Sequence, residues 1–187
     1  MSTDHNALTS SHGDIKTLLS FRKAQIIYDL TFHFAYTFLS KGDRTVDQMI
    51  QAARSGKQNI AEGSAAGVTS METAIKLTNV AKASFLELLL DYEDFLRVRN
   101  FRQWELDSKE VAFLRKKSVD STIPDQWFVD LAKTRPSETV ANMAIVFLHQ
   151  EDFLLQKQLD AFENKFLEQG GFKEQMFAAR LQMRRKQ

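Results

Sequence analysis

The stretch RSGKQNIAEGSAAG, from Arg54 to Gly67, places three glycines and a lysine within fourteen residues. That composition suits a loop that cradles phosphate, and it suits equally a helix that other helices approach closely. A phosphate loop needs G-x-x-x-x-G-K followed by Ser or Thr, after a strand. Here Gly56-Lys57 is followed by Gln58, the residue five before Gly56 is Gln51, and no strand pattern precedes them. Glycines at 56, 63 and 67 do not make the dinucleotide fingerprint G-x-G-x-x-G either.

Register accounts for the glycines instead. Alternating steps of three and four from Val46 pass through Met49, Ala53, Gly56, Ile60, Gly63 and Gly67, the seam of a heptad helix. Glycine inside a helix costs about 1 kcal/mol relative to alanine. Close approach of a neighbouring helix is the compensation this seam predicts. Phe34 and Phe38 on the first helix, and Phe147 and Phe162 on the fourth, are the large side chains expected to enter the groove. Gln51, Ser55, Gln58 and Glu62 form the solvated side. Asn59, beside the seam, is expected to bond across to another helix.

Outward from this element the chain reads as helices throughout. Residues 1–14 are polar and expected to be disordered. The first helix is predicted from Ile15 or Ser20 to Ser40, with Gly42 ending it and Asp43 capping the second helix over Arg44 to Ala66. Thr69 and Glu72 have the spacing of a capping box and predict a third helix to Asn100. Residues 101–136 hold two short amphipathic segments, WELDSKEVAFLRKKS and DQWFVDLAK, and are read as an inserted helical hairpin. A fourth long helix is predicted from Ser137 to Gln169, before Gly170-Gly171, with 171–187 as a basic helical tail. No segment alternates with the period of a strand. The predicted fold class is all-α: an antiparallel up-down four-helix bundle over 15–170, with a helical insertion between the third and fourth long helices.

NIAEG (Asn59 to Gly63) followed by AKASFLEL (Ala81 to Leu88) resembles the four helix bundle proteins encoded by intervening sequences of 23S ribosomal RNA genes. The run from Asp43 to Leu96 is more similar to the related four helix bundle suffix domain. This resemblance covers about Ser20 to Leu96 together with the fourth helix. It implies an up-down bundle that assembles into a ring, commonly a pentamer, without established catalysis. A relative of the family, the accessory protein of diversity-generating retroelements, binds a reverse transcriptase and RNA. This chain departs from that relative in its near-neutral charge, +1 over 187 residues.

The same near-neutrality means that no global field draws the chain to nucleic acid or to a membrane. The absence of cysteine excludes disulfides, a thiol nucleophile and thiolate metal sites. No apolar run reaches the roughly 18 residues of a membrane span. The polar start MSTDHNALTSSHGD does not read as a signal peptide. No membrane partner and a cytoplasmic location are the expectation.

Chemistry is sought in vain. A di-iron bundle needs Glu-x-x-His pairs, but Leu30 stands three before His33 and Val146 three before His149. Asp29 and His33, four apart, read as a surface contact. Glu87, Asp91 and Asp94 form an acidic stripe that reads as a solvated edge or as partners for basic side chains. The expectation is therefore no enzyme, no catalytic residue, no metal and no cofactor. The tail carries Arg180, Arg184, Arg185 and Lys186 with no acid after Glu174, the one candidate contact to RNA or DNA.

Apolar excess points to assembly. Ile27, Leu30, Phe34 and Phe38 make one stripe on the first helix, while Phe32, Tyr36 and Leu39 lie toward another. The third helix sets Leu86, Leu88, Leu89 and Leu90 around Glu87 and Asp91. Helices apolar on two sides imply contacts between subunits, unless the insertion covers the second side. The function expected is a non-enzymatic homo-oligomer, a pentameric ring by resemblance, acting as scaffold or adaptor for an unidentified protein or other macromolecule. The alternative is an accessory factor that binds RNA or DNA.

Overall fold

The computed structural model describes residues 18–67, 69–170 and 172–185. Among them are seven helices and no strand: α1 (Leu19–Phe38), α2 (Arg44–Ala66), α3 (Met71–Val98), α4 (Lys109–Ser118), α5 (Gln126–Lys133), α6 (Ser137–Gln169) and α7 (Phe172–Arg185). Residues 1–14, expected to be disordered, lie outside the described residues.

Local chemistry sets the helix ends. Asp43 caps α2, its carboxylate accepting from the Thr45 amide at 2.9 Å. At α3 the cap is Ser70, not Thr69: Ser70 is extended at φ −151°, and its Oγ accepts from the Thr73 amide. Thr69 instead turns its hydroxyl back to the Ala66 carbonyl. Gly42 and Gly170, at φ 86° and 70°, supply the left-handed turns after α1 and α6. After α3 the same service comes from Asn100 at φ 54°, a side chain that tolerates that region.

The four long helices contact one another in a closed cycle: α1 with α2, α2 with α3, α3 with α6, and α6 with α1. Neighbours in the cycle run in opposite senses. Ser55 meets Ser84 and Gly63 lies against Leu77. Lys82 pairs with Asp152 and Gln156. Ser20 bonds Gln158, and Lys23 bonds Gln150. Ile27, Leu30, Phe34, Phe85, Leu88, Tyr92, Leu148 and Leu155 lie in the core enclosed between them. Phe34 stacks edge-on against both Tyr92 and Phe95, and the buried Tyr92 hydroxyl donates to Thr31 at 3.0 Å.

The segment between α3 and α6 packs onto this cycle rather than standing apart. Asn142, buried on α6, accepts from the Trp104 amide at 2.7 Å and donates to the Arg102 carbonyl at 2.9 Å. One side chain thus fastens a non-helical backbone stretch to the helix. From there α4 lies on α6, and α5 on α1 and α6. Phe128 of α5 is buried edge-on against Phe147, and Arg22 closes the junction with a 2.7 Å ion pair to Asp125.

Candidate functional site

Three regions of the molecule could carry function: the glycine seam of α2, two buried ionisable side chains on α1 and α6, and the outward faces of α1, α3 and α7.

On α2, Met49, Ala53, Gly56, Ile60, Gly63 and Gly67 are buried and Val46 is half-buried. A Cβ on Gly56 would sit 2.5 Å from the tip of the Phe85 ring, so the ring lies directly on the helix backbone. At Gly63 the neighbours are Leu77, Ala74 and Thr78, and at Gly67 the Phe162 ring lies 3.4 Å from such a Cβ. Phe162 therefore meets the seam as expected of it. Phe34 stacks on Tyr92 and Phe95, and Phe147 on Phe128, within the same core. Phe38 stacks on Phe34. The ring at the tightest point comes from α3, a helix that supplied none of the expected phenylalanines. Asn59 does not cross to another helix: its amide donates to the Ser55 carbonyl one turn back, and the crossing bond is Ser55 to Ser84 at 3.0 Å. Lys57 donates to Gln25 and lies 4.2 Å above the Tyr28 ring. No phosphate cradle exists here, because the glycines face packed side chains.

The second region escaped the sequence reading. Lys23 is 4% exposed and Glu151 is 0% exposed. The Lys23 ammonium donates to Gln150 Oε1 at 2.7 Å and, more weakly, to the Ser118 carbonyl at the end of α4, and it faces the Phe147 ring. A cation at a helix C-terminus is favourably placed. Burial pushes its pKa down to about 8, against the opposing pull of Glu151 and Asp125. Burial holds the Glu151 carboxyl well above the ordinary range, with Lys23 pulling the other way, and neither of its oxygens has a hydrogen-bond partner. An amine of lowered pKa in an apolar pocket can serve as a nucleophile. Here it is tied to α6 and to α4, which makes it a fastener joining three helices.

Lys23 also lines a groove of about 410 Å³ with Leu19, Arg115, Val119, His149 and Phe153. Arg115 and His149 line the adjoining groove of about 350 Å³ beneath Trp104 as well. Asp29 and His33 do not form a pair: Asp29 accepts from Gln25, and His33 Nδ1 meets the Thr37 hydroxyl. Among the described residues, no three histidine, aspartate or glutamate side chains gather as a metal site.

The third region is the outside. On α1, Tyr28, Phe32 and Tyr36 follow one another at steps of four, with the Phe32 and Tyr36 rings 4.7 Å apart. Phe32 is 48% and Tyr36 63% exposed. On α3, Leu86 and Leu90 are 56% and 53% exposed. Beside them lie exposed Glu87 and half-buried Asp91, whose carboxyl is held above its usual range by burial and then by Glu87 and Asp94. Asp94 is paired with Arg97 at 2.7 Å. On α7, Arg180 and Arg184 are exposed, as are Met176, Phe177, Leu181 and Met183. The Arg185 side chain and Lys186 lie outside the described residues.

No protein-family model, no curated protein and no solved structure matches this chain. Among the described residues, no helix is long and apolar enough to cross a membrane.

Proposed function

We propose that the chain is a non-enzymatic four-helix-bundle protein that assembles with copies of itself and serves as a scaffold or adaptor for another macromolecule. In this reading α1, α2, α3 and α6 are the up-down antiparallel bundle, and α4 with α5 is the insertion. The observation that carries it is the aromatic row on α1. Phe34 and Leu30 complete the core on one side of that helix, and α5 packs against it. Phe32 and Tyr36 nonetheless remain in solvent. Burying one such side chain is worth about 1.5–3 kcal/mol, which favours covering the row with a second subunit. A repeated head-to-tail contact closes into a ring when its rotation permits, and the resemblance of Asn59–Gly63 and Ala81–Leu88 to ring-forming bundles favours five copies. Light scattering on the full chain at micromolar concentration tests the reading. A mass several times that of one chain is expected, and a monomer overturns it.

A further inference from the structure

We propose that the outer face of α3 is the docking surface for α7 of a second copy of this chain. The inference rests on self-assembly and names a contact that would produce it. Each helix carries two rows spaced one turn apart. On α3 they are Leu86 with Leu90 and Glu87 with Asp91; on α7 they are Phe177 with Leu181 and Arg180 with Arg184. Positions four apart stand about 6 Å apart along a helix, so the two carboxylates and the two guanidinium groups are spaced alike. Both rows on each helix reach solvent, with Asp91 half-covered. Asp91 has two like-charged neighbours, Glu87 and Asp94, and the Arg97 that could relieve it is engaged with Asp94. A planar guanidinium brought to this stripe gains carboxylate partners, and the leucines beside it gain apolar cover.

The chain's own α7 cannot reach this face. Lys82 of α3 stands level with Asp152 and Gln156 of α6, and the two helices run in opposite senses from there. At about 1.5 Å per residue, Gly170 and Asp91 lie on opposite sides of that level, roughly 37 Å apart along the axis. The 14 residues of α7 span only about 21 Å. Glu87 is some 30 Å from Gly170 by the same measure, also beyond the end of α7. Among the described residues, the helix takes no part in the major packings of the other six. A donor on one copy and an acceptor on the next make a head-to-tail contact, which propagates into a ring or a filament.

Charge reversal tests this with the full chain. Arg180→Glu with Arg184→Glu should weaken assembly on the order of tenfold or more, read as mass against concentration. Glu87→Arg with Asp91→Arg should do the same, and the four changes together should restore the assembly. Because the chain has no cysteine, Leu90→Cys in one copy and Leu181→Cys in another should form a disulfide between copies when the two are mixed and oxidised. An assembled wild type whose mass survives both reversals, with no disulfide between copies, overturns this contact and leaves self-assembly standing. A monomeric wild type overturns both. An assembly insensitive to Arg180→Glu and Arg184→Glu, whose salt-sensitive RNA binding those changes abolish, assigns the arginines to nucleic acid and overturns the proposal.

Discussion

The inner side of α2 and the outer side of α1 treat aromatic volume in opposite ways. At Gly56 the side chain has been reduced to hydrogen so that Phe85 can lie on the backbone, and nothing is left over. At Phe32 and Tyr36 two large rings are held in a regular row, and about half of the first and more than half of the second stay in water. The first arrangement finishes a contact within one chain, and the second leaves one open. Matched volume marks what the chain completes alone; under the proposed function, unmatched volume is what a second copy would cover.

The sharpest way to break the comparison is at its closed end. Phe85→Ala should cost about 3–5 kcal/mol, since it removes a ring and leaves a cavity against a helix that cannot collapse into it. Gly56→Leu should cost about 3 kcal/mol by overpacking the same space. Combined, the two should cost less than their sum, because the new leucine occupies part of the volume the ring vacates. Urea unfolding of the two single variants and the double measures the coupling. Strict additivity would mean that the seam is not where the stability of the α2–α3 contact resides.

A second test turns on the two buried ionisable groups, Lys23 and Glu151, which the chain encloses at a cost. Glu151 holds its proton more tightly when folded than when unfolded, because burial penalises the charged form. Its contribution is therefore intact below the ordinary glutamate pKa and is lost as pH rises from there through the raised folded-state value. Lys23 acts oppositely: depressed to about 8, it lets stability recover between pH 8 and the ordinary lysine range near 10.4. Each tenfold change in proton affinity is worth about 1.4 kcal/mol. Glu151→Gln should accordingly flatten the decline between pH 5 and neutrality in a series of thermal or urea melts. A variant profile parallel to the wild type would place the decline elsewhere. Glu151→Leu should leave stability at pH 7 unchanged or raise it, because it removes a buried carboxyl whose oxygens have no hydrogen-bond partner.

How much of this was legible differs along the chain. The helices were readable because their signals are local: Asp43 before α2, the glycine after α6, and the spacing of three and four through Gly56 and Gly63. The partner of Gly56 was not, since which helix supplies the ring depends on how α2 and α3 align, and no local pattern carries that. Lys23 stood in view. It falls on the same spacing as Ser20, Ile27, Leu30 and Phe34, and a charge on an apolar seam is a signal in its own right. Glu151 sits likewise between Leu148 and Leu155. What the sequence could not say is that the two lie near enough to influence each other's charge, because that requires the register of α1 against α6. The Ser70 cap was missed for a simpler reason: two hydroxyl residues stand side by side, and backbone conformation decides between them.

The open end of the comparison yields the smallest effect on folding and the cleanest effect on assembly. Phe32 touches Tyr28 and Tyr36 on its own helix and, among the described residues, makes no aromatic contact to another. Phe32→Glu should therefore change the stability of the folded chain by no more than about 0.5 kcal/mol, the usual range for surface substitutions. If the row is covered by a second subunit, the same change buries a carboxylate in an apolar contact and should drive the assembly toward single chains. Melting curves and light scattering on one preparation separate the two readouts. A large loss of stability together with an unchanged mass would mean that the row supports the fold and not the assembly. The distinction between finished and unfinished aromatic volume would then fail on the helix that suggested it.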